Sequence, residues 1–163
     1  MVTAPDTLLI FADYQCPACK RFERLLSDYA RSSSSELTIG YLQFPLPSHP
    51  QAVRAANVAE CANRLGRFSL AHHLLFEVQD TLSRFNVAEI AKRVQSVDSA
   101  AFVRCAEQSD TSAAVVESIK LARRLGVRAT PTLIVNGWLT GVPSDARELA
   151  EWLQRTRRGN PPY

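Results

Sequence analysis

Cys16-Pro17-Ala18-Cys19 constrains this 163-residue chain more than any other feature, because of what flanks it. An apolar run, Leu8-Leu9-Ile10-Phe11-Ala12, ends just before it, and a helix-periodic stretch over 20–31 begins just after it. A strand that runs into a helix puts Cys16 at the helix N-terminus and Cys19 one turn on, on the same face. Pro17 suits the first helical turn, where its missing N–H is no loss. Unpaired backbone N–H groups and the positive end of the helix dipole favour a thiolate there. Two thiols at this spacing can close a small disulfide. The first can also attack a disulfide in another protein and be released by the second, which is thiol–disulfide exchange. The competing readings are half of a zinc site and two structural cysteines.

The remaining pattern places this junction in an α/β chain. A first strand spans about 7–13, and a helix runs from the motif to about 31 with Phe22, Leu25, Leu26 and Tyr29 on one face. The four serines at 32–35 read as a loop. A second strand over 37–44 alternates Leu37, Ile39, Tyr41 and Gln43 against Thr38, Leu42 and Phe44, and Pro45, Pro47 and Pro50 end it. From 50 to 127 only helical periodicity is visible, as helices over about 50–65, 67–80, 86–95, 98–108 and 111–125. Gly66 and Gly126 read as C-terminal caps, and Asn86, Asp98 and either Asp110 or Thr111 as N-caps. Glu89 stands at capping-box spacing from Asn86. Two apolar runs, Leu133-Ile134-Val135 and Trp138-Leu139-Thr140, flank Asn136-Gly137, which is a hairpin signal. Ser144 is expected to cap a last helix to about 156, with Leu149, Trp152 and Leu153 inward and a frayed tail over 159–163. A β–α–β unit requires a parallel pair and a right-handed crossover, and the hairpin adds antiparallel strands. The expected product is a small mixed sheet flanked by helices.

Length fits one domain. The net charge of +3 is too small to argue for nucleic acid, and Arg155, Arg157 and Arg158 read as a solvated helix end. The apolar runs fall short of a membrane span. Residues 1–7 carry neither a basic region nor a signal-peptide core, so the chain is read as cytosolic or as a mature domain of a longer exported or anchored precursor.

Thr130-Pro131-Thr132 precedes the third strand, where a proline by itself marks a strand boundary. It joins a longer set: Asp13-Tyr14-Gln15-Cys16-Pro17-Ala18-Cys19, Phe44-Pro45-Leu46 with His49-Pro50, Ala59-Glu60-Cys61-Ala62, Phe68 with His72 and Leu75-Phe76, Gly126-Val127 and Asn136-Gly137. With these residues in this order, the chain resembles the thioredoxin-fold family of DsbA-like thiol–disulfide oxidoreductases. The resemblance implies a single domain over 1–163, with a thioredoxin core over about 5–47 and 127–157 and an all-helical insertion over about 50–126. It implies that Thr130–Pro131 is a cis bond facing the Cys pair, beside which an extended substrate peptide pairs by β-augmentation. It further implies protein or peptide thiol and disulfide substrates, a membrane or soluble redox recycling partner, a monomer and an extracytoplasmic location such as the periplasm. No cofactor or metal is implied beyond the redox-active Cys16–Cys19 disulfide. Two departures stand out. Ile10 occupies a position where the family often has a buried acid, and the segment that usually precedes the first strand is almost absent. Glu23 matches a second acidic position and either supplies a proton relay or is an ordinary surface glutamate, the surface role being the default.

Cys16 is the expected nucleophile and Cys19 the resolving thiol. Pro17, Ala18, Thr130 and Pro131 are expected to tune the pair and contact substrate. Ala18 brings no imidazole, so a milder oxidant is expected than in members with histidine there. Cys61 and Cys105 lie on different helices of the insertion, as free buried thiols or as a structural disulfide, and relatives often carry cysteine at both positions. A four-cysteine zinc site lacks ligand spacing. His72 and His73 point about 100° apart on a helix and cannot chelate one metal, and His49 belongs to a helix entrance. The alternatives to an oxidant are a disulfide reductase or isomerase on the same scaffold and a non-catalytic thioredoxin-fold binding module.

Overall fold

A computed structural model describes residues 6–33, 36–94, 98–108 and 110–163. Ser34, Ser35 and the expected helix end at 95 lie outside the described residues. Among the described residues, four strands form one mixed sheet in the order β2-β1-β3-β4. β1 (Asp6–Ala12) runs parallel to β2 (Leu37–Gln43) through the helix α1 (Pro17–Ser32) and antiparallel to β3 (Thr132–Val135), which turns into β4 (Trp138–Thr140). Asn136 (φ 47°) and Gly137 (φ 90°) both adopt the left-handed conformation that a two-residue hairpin demands.

Alternation along β1 divides the core. Leu8 and Ile10 lie in register with Val135 and Leu133, and all four join a buried cluster with Phe22 and Leu26 of α1 and Leu149 and Leu153 of α7 (Ala146–Arg157). Phe11 faces the other way, against Ala122 of α6 (Ala113–Arg124) and Val127. The sheet is thus covered on both faces. Asp6 is buried at the start of β1, where Asn136 and Arg157 hydrogen-bond its carboxylate and tie strand, hairpin and last helix together. These bonds outweigh burial and lower its pKa.

Between β2 and α6 the described residues form α2 (Ala52–Arg64), α3 (Phe68–Glu77), a 3-10 helix (Gln79–Arg84), α4 (Val87–Arg93) and α5 (Ser99–Ala106). Cys61 of α2 and Cys105 of α5 are joined as a disulfide, with Cα atoms 6.0 Å apart. Gly66 and Gly126 take φ of 66° and 73°, as C-terminal caps require.

Several local expectations are corrected. The single helix over 67–80 ends at Glu77 and tightens into 3-10 geometry, because Gln79 turns its buried amide toward two backbone carbonyls of the 14–16 loop. Ser112, not Asp110 or Thr111, caps α6, because Asn57 of α2 already holds the Asp110 carbonyl and the Ser112 N–H. Asp145, not Ser144, caps α7 by accepting from the Glu148 N–H, while the Ser144 N–H donates to the Glu148 carboxylate. Glu89 pairs with Lys92 rather than closing a capping box on Asn86. β2 is an edge strand, so its alternation does not produce an inward row: Gln43 is buried and Ile39 is exposed. The tail is not frayed, since the Pro161 carbonyl accepts from Arg155 and the Tyr163 ring meets Trp152 at 5.9 Å.

Candidate active site

The loop over 13–16, where β1 becomes α1, is pinned from three directions. Asp13 is wholly enclosed, and its carboxylate accepts from the backbone N–H of Gln15 (2.7 Å) and of Leu46 (2.8 Å). His49 Nδ1 lies 2.7 Å from the same carboxylate. The Gln15 side chain accepts from the Gln51 N–H at 2.7 Å. From the helical segment, Gln79 Nε2 donates to the carbonyls of Tyr14 (2.8 Å) and Cys16 (3.0 Å). Prolines end β2 and return the chain across this loop, which is how His49 and Leu46 come to meet Asp13.

Cys16 is the N-cap residue of α1 with extended backbone, and Pro17 opens the helix. Both thiols are free and nearly enclosed, with Cys16 6% and Cys19 2% exposed. The Thr130–Pro131 peptide is cis, and the Cys16 thiol donates to the Thr130 carbonyl at 3.3 Å. The Cys16 pKa is lowered to about 5. The largest cause is a hydrogen bond from the Cys19 thiol; the Thr130 side chain and the N–H groups of Cys19 and Ala18 add to it against the opposing effect of burial. The Cys19 pKa moves the other way, raised first by its hydrogen bond to Cys16 and then by burial, although the Asp13 N–H points at its sulfur at 3.5 Å. One thiol therefore ionises readily and its neighbour stays protonated, the asymmetry that separates an attacking from a resolving cysteine. Thr130 Oγ1 is buried with no hydrogen-bond partner in this dithiol form, and a Cys16 thiolate supplies one.

Ile10 is 1% exposed and belongs to the same buried apolar cluster as Cys16 and Cys19. Glu23 is not a surface glutamate. Its side chain is 15% exposed and lies one turn beyond Cys19 on the same face of α1. Tyr41 donates to both of its oxygens (2.9 and 3.1 Å), and His72 Nε2 lies 3.0 Å from Oε2. The other ring nitrogen of His72 is 3.0 Å from the Tyr14 hydroxyl. The Tyr14 contact at Nδ1 has hydrogen-bond geometry, whereas Nε2 faces Glu23 at ion-pair distance without it. Burial raises the pKa of both phenols, so they remain protonated donors. A buried polar chain thus joins Tyr14, His72, Glu23 and Tyr41 behind the Cys pair, walled by Phe68 and Phe76.

Ala18 opens onto a groove of about 450 Å³ between α1 and the loop before α7, with Phe22, Leu25, Val142 and Pro143 on its walls. The Cys61–Cys105 disulfide belongs to the helical segment and takes no part in the Cys16 contacts. Among the described residues no cluster of three or more His, Cys, Asp or Glu could hold a metal ion.

The family model described as Thioredoxin matches residues 2–155. The chain belongs to the thioredoxin family. Its fold is that of DsbA-like thiol–disulfide oxidoreductases: BdbD from Bacillus subtilis in its oxidised form superposes with a TM-score of 0.77 at 21% identity, over 98% of this chain and 91% of that one. A thioredoxin-like oxidoreductase from Silicibacter pomeroyi superposes at 0.75 and 23% identity (96% and 88% covered), and DsbA from Xylella fastidiosa at 0.71 and 18% (94% and 87%). Among curated proteins, Na(+)/H(+) antiporter NhaA 1 of Mycolicibacterium vanbaalenii is 31% identical over 161 residues, 95% of this chain. The chain spans about a quarter of the length of that relative, 25%. NhaA 3 of Salinispora tropica is 31% identical over 141 residues, 82% of this chain and 20% of its own length.

Asp13, His49, Gln79 and His72 were not singled out by sequence as functional. Their signal was weak: an acid three before the first cysteine, and a histidine and a glutamine on the inward side of apolar helices.

Proposed function

We propose that this chain is a protein thiol–disulfide oxidoreductase that works as a moderate oxidant, with Cys16 attacking and Cys19 resolving. The observation that carries the reading is the opposed ionisation of two adjacent thiols at a helix N-terminus that faces the Thr130 carbonyl. In the oxidising direction a substrate thiolate attacks Cys16 Sγ of the Cys16–Cys19 disulfide, and Cys19 leaves and takes up a proton. A second substrate thiolate then attacks the substrate sulfur of the mixed disulfide and releases Cys16 as a thiolate. Two electrons pass to the enzyme, and the disulfide of a recycling partner removes them. The low Cys16 pKa favours the reduced enzyme, which is the property of an oxidant.

Thr130, Pro131, Pro17 and Ala18 form the substrate wall, with an extended peptide pairing along the Thr130 backbone. Glu23, held by Tyr41 and His72, is the group that exchanges the Cys19 proton in place of the acid that Ile10 displaces. Residues 1–163 are read as one domain, with its core over about 5–47 and 127–157, a helical insertion over about 50–126 and a structural disulfide between Cys61 and Cys105. The enzyme needs no cofactor beyond its own sulfurs, acts as a monomer on protein or peptide substrates, and works in an extracytoplasmic compartment. Ion exchange is not carried over from the antiporters, because the chain spans only 25% of the first of them.

Dithiothreitol-driven insulin reduction, together with glutathione-driven oxidation of a reduced two-cysteine peptide, tests the reading. Cys16→Ser is expected to abolish both. A parent inactive in both assays makes the protein a binding module, a Cys16→Ser variant as active as an active parent removes Cys16 as the nucleophile, and reductase activity without peptide oxidation reverses the proposed direction.

A further inference from the structure

We infer that Gln79 is a positioning residue through which the helical segment sets the reactivity of Cys16. The inference rests on the reading of Cys16 as nucleophile. Gln79 opens the 3-10 helix, is 8% exposed, and places both hydrogens of its amide on the loop over 14–16, one on the Tyr14 carbonyl at 2.8 Å and one on the Cys16 carbonyl at 3.0 Å. The next residue, Asp80, pairs with Lys20 of α1 at 3.2 Å, so the same turn grips the helix N-terminus twice.

The Cys16 carbonyl is the N-cap acceptor of α1, and its intrahelical partner, the Lys20 N–H, is 3.3 Å away. That is beyond the usual range for an N–H···O bond, so the shorter bond from Gln79 is the one that fixes this carbonyl. Its direction sets the first turn, and hence where the N–H groups of Ala18 and Cys19 point relative to Cys16 Sγ. Gln79 also turns two carbonyl dipoles, negative ends first, toward itself. Without the amide, the Tyr14 carbonyl loses its donor and the Cys16 carbonyl keeps only the long bond from the Lys20 N–H, so the turn relaxes toward whatever donor it can find. Stabilisation of the thiolate weakens as the donors drift off line.

A helix-terminus interaction of this size corresponds to a rise in the Cys16 pKa of about half a unit to one unit in Gln79→Leu, which keeps the bulk and removes both donors. A less stabilised thiolate disfavours the reduced form, so the equilibrium with glutathione moves roughly three- to tenfold toward the enzyme disulfide, about 15–30 mV. Gln79→Glu, which puts a carboxylate against the two carbonyls, raises the pKa further. Thiolate absorbance at 240 nm against pH and the glutathione equilibrium read both effects. A merely structural role destabilises oxidised and reduced protein alike and leaves both readouts unmoved, and that outcome overturns the inference. For the unaltered chain, the Gln79 side-chain amide resonances are expected to titrate with the Cys16 midpoint and to shift on oxidation. Resonances indifferent to both overturn it even if no variant folds. If Cys16→Ser keeps full insulin-reduction activity, the underlying reading has failed; if that variant is inactive while Gln79 substitutions leave the midpoint in place, this inference alone has failed.

Discussion

Replacing Thr130 by valine tests the electrostatics of the site with the smallest change of shape. The hydroxyl is buried without a partner in the dithiol form and is among the groups that lower Cys16. A hydrogen bond to a charged group contributes about 1.5–3 kcal/mol when formed. Several donors share this sulfur, so the lower part of that range applies, and the expected pKa rise is about one unit, equal to about 1.4 kcal/mol. The spectroscopic midpoint of Cys16 then moves upward from about 5 by that amount. At pH 7 the thiol remains about nine-tenths ionised, so alkylation by iodoacetamide barely changes; at pH 5.5 the ionised fraction falls from roughly three-quarters to one-quarter and alkylation slows about threefold. The reduction potential drops by about 30 mV, since the reduced form loses a factor of ten. Thr130→Ser keeps the hydroxyl and is expected to restore the original midpoint. A valine variant that folds yet titrates like the parent refutes the assignment of the hydroxyl to the thiolate.

Ala18→His puts an imidazole beside the Cys16 thiolate and is expected to make the protein more oxidising by about tenfold against glutathione, about 30 mV; an unchanged or lower potential refutes this. Glu23→Gln is expected to leave the Cys16 midpoint in place and to slow formation of the mixed disulfide by the oxidised enzyme, the step in which Cys19 leaves and takes up a proton, about three- to tenfold, less than the ~100-fold of direct general acid–base catalysis; quenched-flow trapping of the mixed disulfide reads the step. Replacing Cys61 and Cys105 by alanine opens a crosslink across 44 residues, which the chain-entropy account sets at about 4 kcal/mol; calorimetry should show a clear fall in Tm with insulin reduction retained. The reduced protein should also gain stability as pH rises. The folded pKa of Cys16 is about 5 against an ordinary 9.0, so its contribution is fully present above about pH 9 and lost as pH falls toward 5. Thermal melts of the reduced parent and Cys16→Ser should diverge across that window and meet below it.

Sequence carries its clearest signals where the chain decides its own conformation. Asn136-Gly137 and the caps at Gly66 and Gly126 adopt the positive φ that their residue types favour. The strand–helix junction at Cys16 is of the same kind, since Pro17 and the periodicity after it suffice to start α1. What was missed depends on partners far along the chain. Asp13 meets His49 across 36 positions, Tyr14 meets His72 across 58, and Tyr14 meets Gln79 across 65. Gln79 also explains the broken helix, because periodicity registers apolar spacing and not the pull of two carbonyls on an amide. Sequence leaves Glu23 open between a relay and a surface role because its burial comes from Tyr41 and His72, which belong to other elements.

The opposed ionisation of the two thiols has a use outside redox exchange. Of the four sulfhydryl positions, Cys61 and Cys105 are consumed by their bond, and Cys19 is held protonated, so at pH 6 an electrophile meets a single thiolate. Mildly acidic maleimide or haloacetamide should therefore mark Cys16 alone, with no cysteine removed by mutation. A fluorophore or spin label attached this way would sit two residues from Ala18, which lines the groove, and beside Thr130, where it would report the arrival of a peptide.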